Sequence, residues 1–159
     1  MFVVGLATVP YKRSPVNEMF HADITRERGI VGNRHGQRTL LNQGRRQVTI
    51  ICGRLWEQVC AELGVDLPWH TRRANVCIDN INCGPASVGV QIRLGADVVL
   101  EVTGECDPCK RMNELHPALK DALTPGWRGG LNCSVLVGGR VNLYDDAEIL
   151  WGRYKIKNE

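Results

Sequence analysis

The chain has 159 residues, enough for one domain with a real hydrophobic core and tight for two. Apolar residues make up 43% and charged residues 23%, ordinary globular values that exclude a disordered chain. A net charge of +3 is too modest for a general nucleic-acid binder, and 6% aromatics leave no obvious base-stacking platform, so no nucleic-acid partner is expected.

Phe2 to Val9 is expected to be the first strand, short and interrupted by Gly5 and Thr8. Tyr11 to Pro15 is a loop carrying Lys12 and Arg13, and Met19 to Ile24 alternates as a second strand. Gly29 to Gly36 is a glycine-rich loop that permits tight or left-handed backbone. Thr39 to Arg46 reads as exposed and flexible, and Gln47 to Cys52 as a buried strand rich in β-branched residues. From about Arg54 to Leu63, the residues Leu55, Trp56, Val59, Cys60 and Leu63 share one stripe of a helix, and Gly64 is placed to end it. Trp56 and Cys60 are then core residues.

His70 to Arg73 is polar and basic and leads into Ala74 to Ile81. Val88 to Leu94 and Val98 to Val102 form a hairpin-like pair around Gly95. Pro117 suits a first helical position, and the apolar patch Ala118, Leu119, Ala122 and Leu123 is closed by Pro125-Gly126. Leu131 to Val137, Gly138-Gly139 and Arg140 to Leu143 carry a hairpin signature. Glu148 to Ile156 supplies a last strand. Many short strands against one good helix and one short one, without regular alternation, argue against a doubly wound parallel sheet. The expected fold is mainly β, a single domain over 1–159: a mixed or antiparallel β-barrel with one or two inserted helices.

The chemistry concentrates in Thr103 to Asn113, where Gly104 and Pro108 force a turn that presents Cys106 and Cys109 beside Lys110 and Arg111. Neighbouring cations favour a thiolate, so either sulfur could be a nucleophile or a soft metal ligand. Four readings stay open at this point. Structural zinc needs four ligands, and Cys77 and Cys83 lack knuckle spacing; His21, His70 and His116 are scattered. A redox pair normally opens a helix after a strand. A single working thiolate at Cys109 is the third reading, and a pair of half-buried small hydrophobes the fourth. Cys52 and Cys133 are read as core thiols and Asp145 as a turn acceptor.

Lys12, Arg13, Arg34, His35, Arg38, Arg72, Arg73, Lys110, Arg111 and Arg128 mostly sit in loops bearing glycine, proline or asparagine. Arginine forks suit phosphate and other oxyanions, and Gly129-Gly130 beside Arg128 could add backbone N–H groups. Together they point to a small anionic ligand. Seven cysteines, no basic-then-apolar leader and no run of about 18 apolar residues lead to the expectation of a cytoplasmic, reduced chain with no membrane partner.

In this order the stretches resemble the MOSC domain, the module related to the C-terminal part of molybdenum cofactor sulfurases. Gly29 to Gly36 resembles the family's Gly-x-x-Gly-Asp-Arg-His segment, and Gln47 to Leu55 its strand into helix. Glu101 to Cys109 resembles the segment closing on the family's hallmark cysteine, and Arg128-Gly129-Gly130 with Gly139 and Asp145 its C-terminal pattern. The resemblance runs from about Val3 to Ile149. Asn33 stands where the family usually has aspartate, Tyr144 where it has glycine, and Cys106 where relatives often have arginine; Arg73-x-Asn75 matches its asparagine-bearing segment loosely.

The resemblance implies a β-barrel whose cleft holds a molybdenum cofactor (molybdopterin), a pterin dithiolene with a terminal phosphate. It implies Cys109 as catalytic residue and molybdenum ligand, with Arg34, His35, Arg73, Asn75, Lys110, Arg128, Gly129 and Gly130 around the cofactor. The activity it implies is a small reductase of N-hydroxylated compounds fed by an electron-donor protein. Two alternatives keep the same pocket: a persulfide carrier loaded by a sulfur-donor protein, and a cofactor-binding protein without chemistry. A stand-alone module is expected, without the extra N-terminal domain of larger MOSC reductases or the aminotransferase-like domain, associated with pyridoxal phosphate, of the sulfurases.

Overall fold

The structure, a computed structural model, describes residues 1–150. Its backbone is a large mixed sheet, a small second sheet stacked on it, and two helices on the outer face. The first strand, β1 (Val3–Thr8), passes to the two-residue β2 (Asn17–Glu18), then to β3 (His21–Thr25) and β4 (Gly29–Ile30). The buried strand β5 (Val48–Cys52) runs directly into helix α1 (Gly53–Leu63), and β6 (Val76–Ile78) follows. A hairpin of β7 (Gln91–Leu94) and β8 (Val98–Glu105), turned at Gly95 with φ 62°, precedes helix α2 (Leu119–Leu123). β9 (Leu131–Val137), β10 (Gly139–Asn142) and β11 (Ala147–Leu150) complete the described chain. The part of the expected last strand beyond Leu150 lies outside the described residues.

Period-two alternation explains how the sheet buries both faces. On β5, Val48, Ile50 and Cys52 join the core between the two sheets, while Ile51 points to the helix side. On β6, Val76 and Ile78 go inward and Cys77 goes to the helices. There Trp56, Val59 and Cys60 of α1 meet Leu119 and Leu123 of α2 and Met112. The stripe on α1 is the one expected from the sequence at Trp56, Val59, Cys60 and Leu63, whereas Leu55 packs against the core between the sheets. Gly64 ends the helix in left-handed geometry, and the Val65 N–H donates to the Cys60 carbonyl at 3.0 Å. The Trp56 indole N–H donates to the Leu67 carbonyl, which satisfies the one polar atom that this ring carries into the core.

The large sheet is open, so the expected closed barrel is overturned. Its order is β11-β7-β8-β9-β5-β6-β1-β2, and among the described residues no ladder joins β2 to β11. A single bridge, Phe2 to Asp146, approaches across the gap. The polar groups that a barrel would pair strand to strand are met by a turn instead: Val3 N–H donates to the Asp145 carbonyl, and Tyr144 N–H donates to the Val3 carbonyl. Asp145 Oδ2 accepts the Asn142 N–H, the turn role expected of it. The pairing is mixed, with β5 and β6 parallel across the α1 crossover and their neighbours antiparallel. Mixed β structure with two helices therefore holds.

A second expectation also changes. β9 and β10 do not form a hairpin: β9 pairs with β8 and β5, whereas β10 pairs with β3 in the small sheet β10-β3-β4. Gly138-Gly139 is a crossing between sheets. A Cβ built at Gly138 would stand 2.6 Å from the Ile24 carbonyl oxygen, so the glycine is needed for close backbone approach and not for a tight turn. Gly138→Ala is expected to cost about 1–3 kcal/mol by overpacking, read as a lowered urea midpoint at unchanged slope.

Candidate functional site

Four loops and the end of β1 converge on a cavity of about 210 Å³. A water's share of liquid volume is about 30 Å³, so this is room for a ligand and not a packing flaw. Val9 forms one wall, and Asn33, Arg34 and His35 the next. Arg46, Gln47 and Thr49 come from the approach to β5, and Arg72 to Asn75 from the approach to β6. Cys106, Cys109, Arg111 and Met112 close it from the segment after β8.

Each wall is held by specific bonds. Asn33 Oδ1 accepts the Val9 N–H at 2.8 Å, its amide donates to the His35 carbonyl at 3.0 Å, and Arg34 N–H donates to the Val9 carbonyl at 2.8 Å. An aspartate here would keep the first bond but set a carboxylate oxygen against the His35 carbonyl. Asparagine fits both bonds and adds no negative charge to the wall. Gln47 is buried and fully used: its Oε1 accepts from Arg38 and the Val135 N–H, and its amide donates to the Arg26 and Gly36 carbonyls. Asn75 ties three strands, accepting the Thr49 N–H and hydroxyl at 3.0 Å each and donating to the Ala7 carbonyl at 3.2 Å.

Arg72 and Arg73 leave one short 3-10 turn in different directions. Arg73 sits at φ 65°, a strained conformation for a residue with a Cβ, and its guanidinium donates to the Ser14 carbonyl at 2.7 Å. Arg72 is only 7% exposed. Its Nε donates to the Gly129 carbonyl at 3.1 Å, and its Nη2 donates to the Cys106 carbonyl at 2.8 Å and lies 3.5 Å from the Cys106 sulfur. The cysteine loop is thus pinned by a buried guanidinium.

The electrostatics are one-sided. No Asp or Glu lines the cavity. Among the described residues, Arg34, Arg46, Arg72, Arg73 and Arg111 form no ion pair. Burial, then Arg111, Arg34 and Arg13, push Arg73 below its ordinary value. Burial, then Arg46 and Arg34, push His35 down as well. Crowded cations of this kind are stabilised by a bound anion.

Cys109 is exposed and opens on this cavity, whereas Cys106 is 6% exposed behind it. Burial chiefly pushes the Cys77 and Cys83 thiols up to about 12 and raises Cys133 further, so those three are packed and inert. Cys52 and Cys60 are buried in the two cores. Among the described residues no group of three or more His, Cys, Asp or Glu could hold a metal, which removes the structural zinc reading. A metal that brings most of its own ligands and asks one soft thiolate of the protein does fit this donor set. A phosphate-bearing ligand fits the arginines.

Of the residues singled out from the sequence, Arg34, His35, Arg73, Asn75 and Cys109 line the cavity; Lys110, Arg128, Gly129 and Gly130 do not. Arg128 is turned outward, where both its Nη atoms bond the Glu62 carboxylate at 2.8 Å. Gly129 gives its carbonyl to Arg72, and Gly130, at φ 110°, packs its α-carbon against the Ile50 carbonyl. Trp127 packs against the inter-sheet core. Arg46, Arg72 and Arg111 were not singled out as site residues, and Cys106 was weighed only as an alternative sulfur to Cys109. Arg72 and Arg111 stood in the basic set, but nothing in sequence separates a buried loop arginine from a solvated one.

The MOSC domain family matches residues 31–147. No curated protein matches the sequence. The fold is similar to the crystal structure of the YuaD protein from Bacillus subtilis, with TM-score 0.75 and 21% identity over 93% of this chain and 94% of that one. It is also similar to YiiM from Escherichia coli, with TM-score 0.67 and 15% identity over 98% of this chain and 73% of that one. YiiM from Geobacillus stearothermophilus gives TM-score 0.67 at 9% identity, over 94% and 73%. The family match covers the MOSC domain alone, so the pyridoxal phosphate association of the larger sulfurases is not borne out for this chain.

Two expectations follow from the geometry. His35 titrates below its ordinary 6.5, so its stabilising contribution is present above that value and is lost as pH falls through the lowered one. In an NMR titration, Arg46→Gln is expected to raise the His35 pKa, and saturating inorganic phosphate to raise it further. Arg72→Met strips donors from the Gly129 and Cys106 carbonyls and is expected to cost about 1–3 kcal/mol in a urea melt.

Proposed function

The chain belongs to the MOSC domain family, which is associated with the molybdenum cofactor, and from that premise we propose that it binds this cofactor through Cys109 and works as a small reductase of N-hydroxylated compounds. The observation that carries the reading is the exposed Cys109 thiol opening on a cavity lined by unpaired arginines and no carboxylate. Cys109 would ligate the metal, and Arg34, Arg73 and Arg111 would hold the anionic end of the cofactor. When bound, the molybdenum centre would supply two-electron cleavage of an N–O bond, with water as the second product.

The chain's own residues prepare that chemistry. Arg72 holds the Cys106–Cys109 loop from beneath, so that the Cys109 sulfur stays at the rim. Asn75 keeps β1, β5 and β6 in register under the cavity. His35, neutral above its lowered pKa, would offer a hydrogen bond without adding to the cationic crowd. Electrons would come from a partner protein, since the sequence holds no dinucleotide fingerprint. Among the described residues no helix is long and apolar enough to cross a membrane.

A second reading is favoured by one observation, the second thiol, Cys106, on the same cavity. Cys109 would then carry a persulfide for cofactor sulfuration. Metal, pterin and intact-mass analysis of protein purified with and without oxygen separates the two. Molybdenum at about one per chain with bound pterin, lost in Cys109→Ala at unchanged unfolding midpoint, is the expected result. One added sulfur on Cys109 without molybdenum would replace it with the carrier reading. Pterin bound without metal, persulfide or turnover would leave a binding protein.

A further inference from the structure

The segment from Thr39 to Arg46, expected to be exposed and flexible, is exposed but tightly built. Asn42 Oδ1 accepts the Thr39 N–H at 3.1 Å and the Gly44 N–H at 2.8 Å, and the Thr39 hydroxyl accepts the Asn42 N–H at 3.2 Å. The Asn42 amide donates to the Gln37 carbonyl, and Arg38 donates to the carbonyls of Gln43, Arg26 and Val135. Thr103 Oγ1 holds the Arg45 carbonyl. Gln43 accepts φ 49° so that the turn can close. At the tip of this framework stand Leu40 and Leu41, 96% and 94% exposed.

Scattered exposed apolar side chains are ordinary, but an adjacent pair held out on a strained, hydrogen-bonded turn is a fixed display. Its neighbours are cationic. Arg45 and Arg46 follow it, and neither has an ion pair among the described residues. Both feet of the turn, His35 and Arg46, line the cavity on which Cys109 opens. An occupant seated on the tip would therefore lie against the mouth of the site. That position suits a protein that must deliver something to the cavity. The unpaired arginines suit an acidic surface, and two leucines suit a shallow apolar notch in it.

We propose that the Leu40–Leu41 turn, flanked by Arg45 and Arg46, is the docking surface for a small acidic electron-donor protein of the ferredoxin or flavodoxin kind. The proposal rests on the reductase reading above for the identity of the occupant. The contact is of the small, weak class typical of electron-transfer partners, steered by charge and sensitive to salt.

The test titrates the purified full chain with a plant-type [2Fe–2S] ferredoxin and with an acidic flavodoxin by calorimetry, at low and high salt. At least one should bind with micromolar affinity, weakened about tenfold by high salt. Leu40→Ser/Leu41→Ser and Arg45→Glu should each weaken binding about tenfold at unchanged unfolding midpoint and metal content. Binding of neither carrier, or equal binding by the variants, would overturn the proposal. So would co-sedimentation with phosphatidylglycerol vesicles that the leucine variant loses while neither carrier binds, since that assigns the tip to lipid. Metal content is measured separately, so failed docking leaves the cofactor reading standing, and absent molybdenum with intact carrier binding removes only that reading.

Discussion

The site depends on one buried cation. Arg72 is closed off from water, and its partners are the carbonyls of Gly129, Cys106 and Asp107 and the Cys106 sulfur, with no carboxylate among them. Neutral acceptors meet its Nε and Nη2 donors without cancelling its charge, so the positive potential is left in the cavity. A buried charge is tolerated only when its hydrogen bonds are met, and here the loop carrying Cys109 meets Nη2 while Gly129 meets Nε. The bonds that make Arg72 tolerable also place the thiol.

The other arginines divide by the same logic. Arg128, Arg140 and Arg93 each face a carboxylate across an exposed or half-exposed pair, and they bind the scaffold to itself. Exposed pairs of this kind contribute little stability. The arginines of the cavity have no such partner; burial first, and then the crowding of neighbouring arginines, holds Arg73 and His35 below their ordinary values. Asn33 belongs to this arrangement. A carboxylate there would neutralise part of the field, whereas the amide makes two loop bonds and leaves the field to a ligand.

The scaffold places five segments around the cavity by ordinary means. The β5–α1–β6 crossover buries both faces of the sheet, and the starts of β5 and β6 lie side by side because those strands are parallel. Asn75 and Thr49 then lock that pair with side chain to backbone bonds. The small sheet covers the inner face and brings the Asn33–His35 loop to the end of β1.

Local pattern carried much of this in the sequence alone. The stripe from Leu55 to Leu63 and the terminal Gly64 determined α1, β-branched runs determined β5 and β8, and the ordered stretches from Gly29 to Asp145 determined the family. The stretch from Thr103 to Asn113 marked Cys109, although β8 runs through Gly104 to Glu105 and the expected turn at Gly104 does not occur. Tertiary structure decided what depends on partners distant in the chain. Whether the sheet closes is set by its edges, and a turn at Asp145 satisfies the edge that a strand would have paired. Gly138-Gly139 has the composition of a hairpin turn, yet only the neighbouring Ile24 backbone makes it a crossing. Arg72 and Arg128 are alike in sequence, basic and in loops. One turns inward to carbonyls and the other outward to Glu62, because burial and pairing are properties of the folded surroundings and not of the residue.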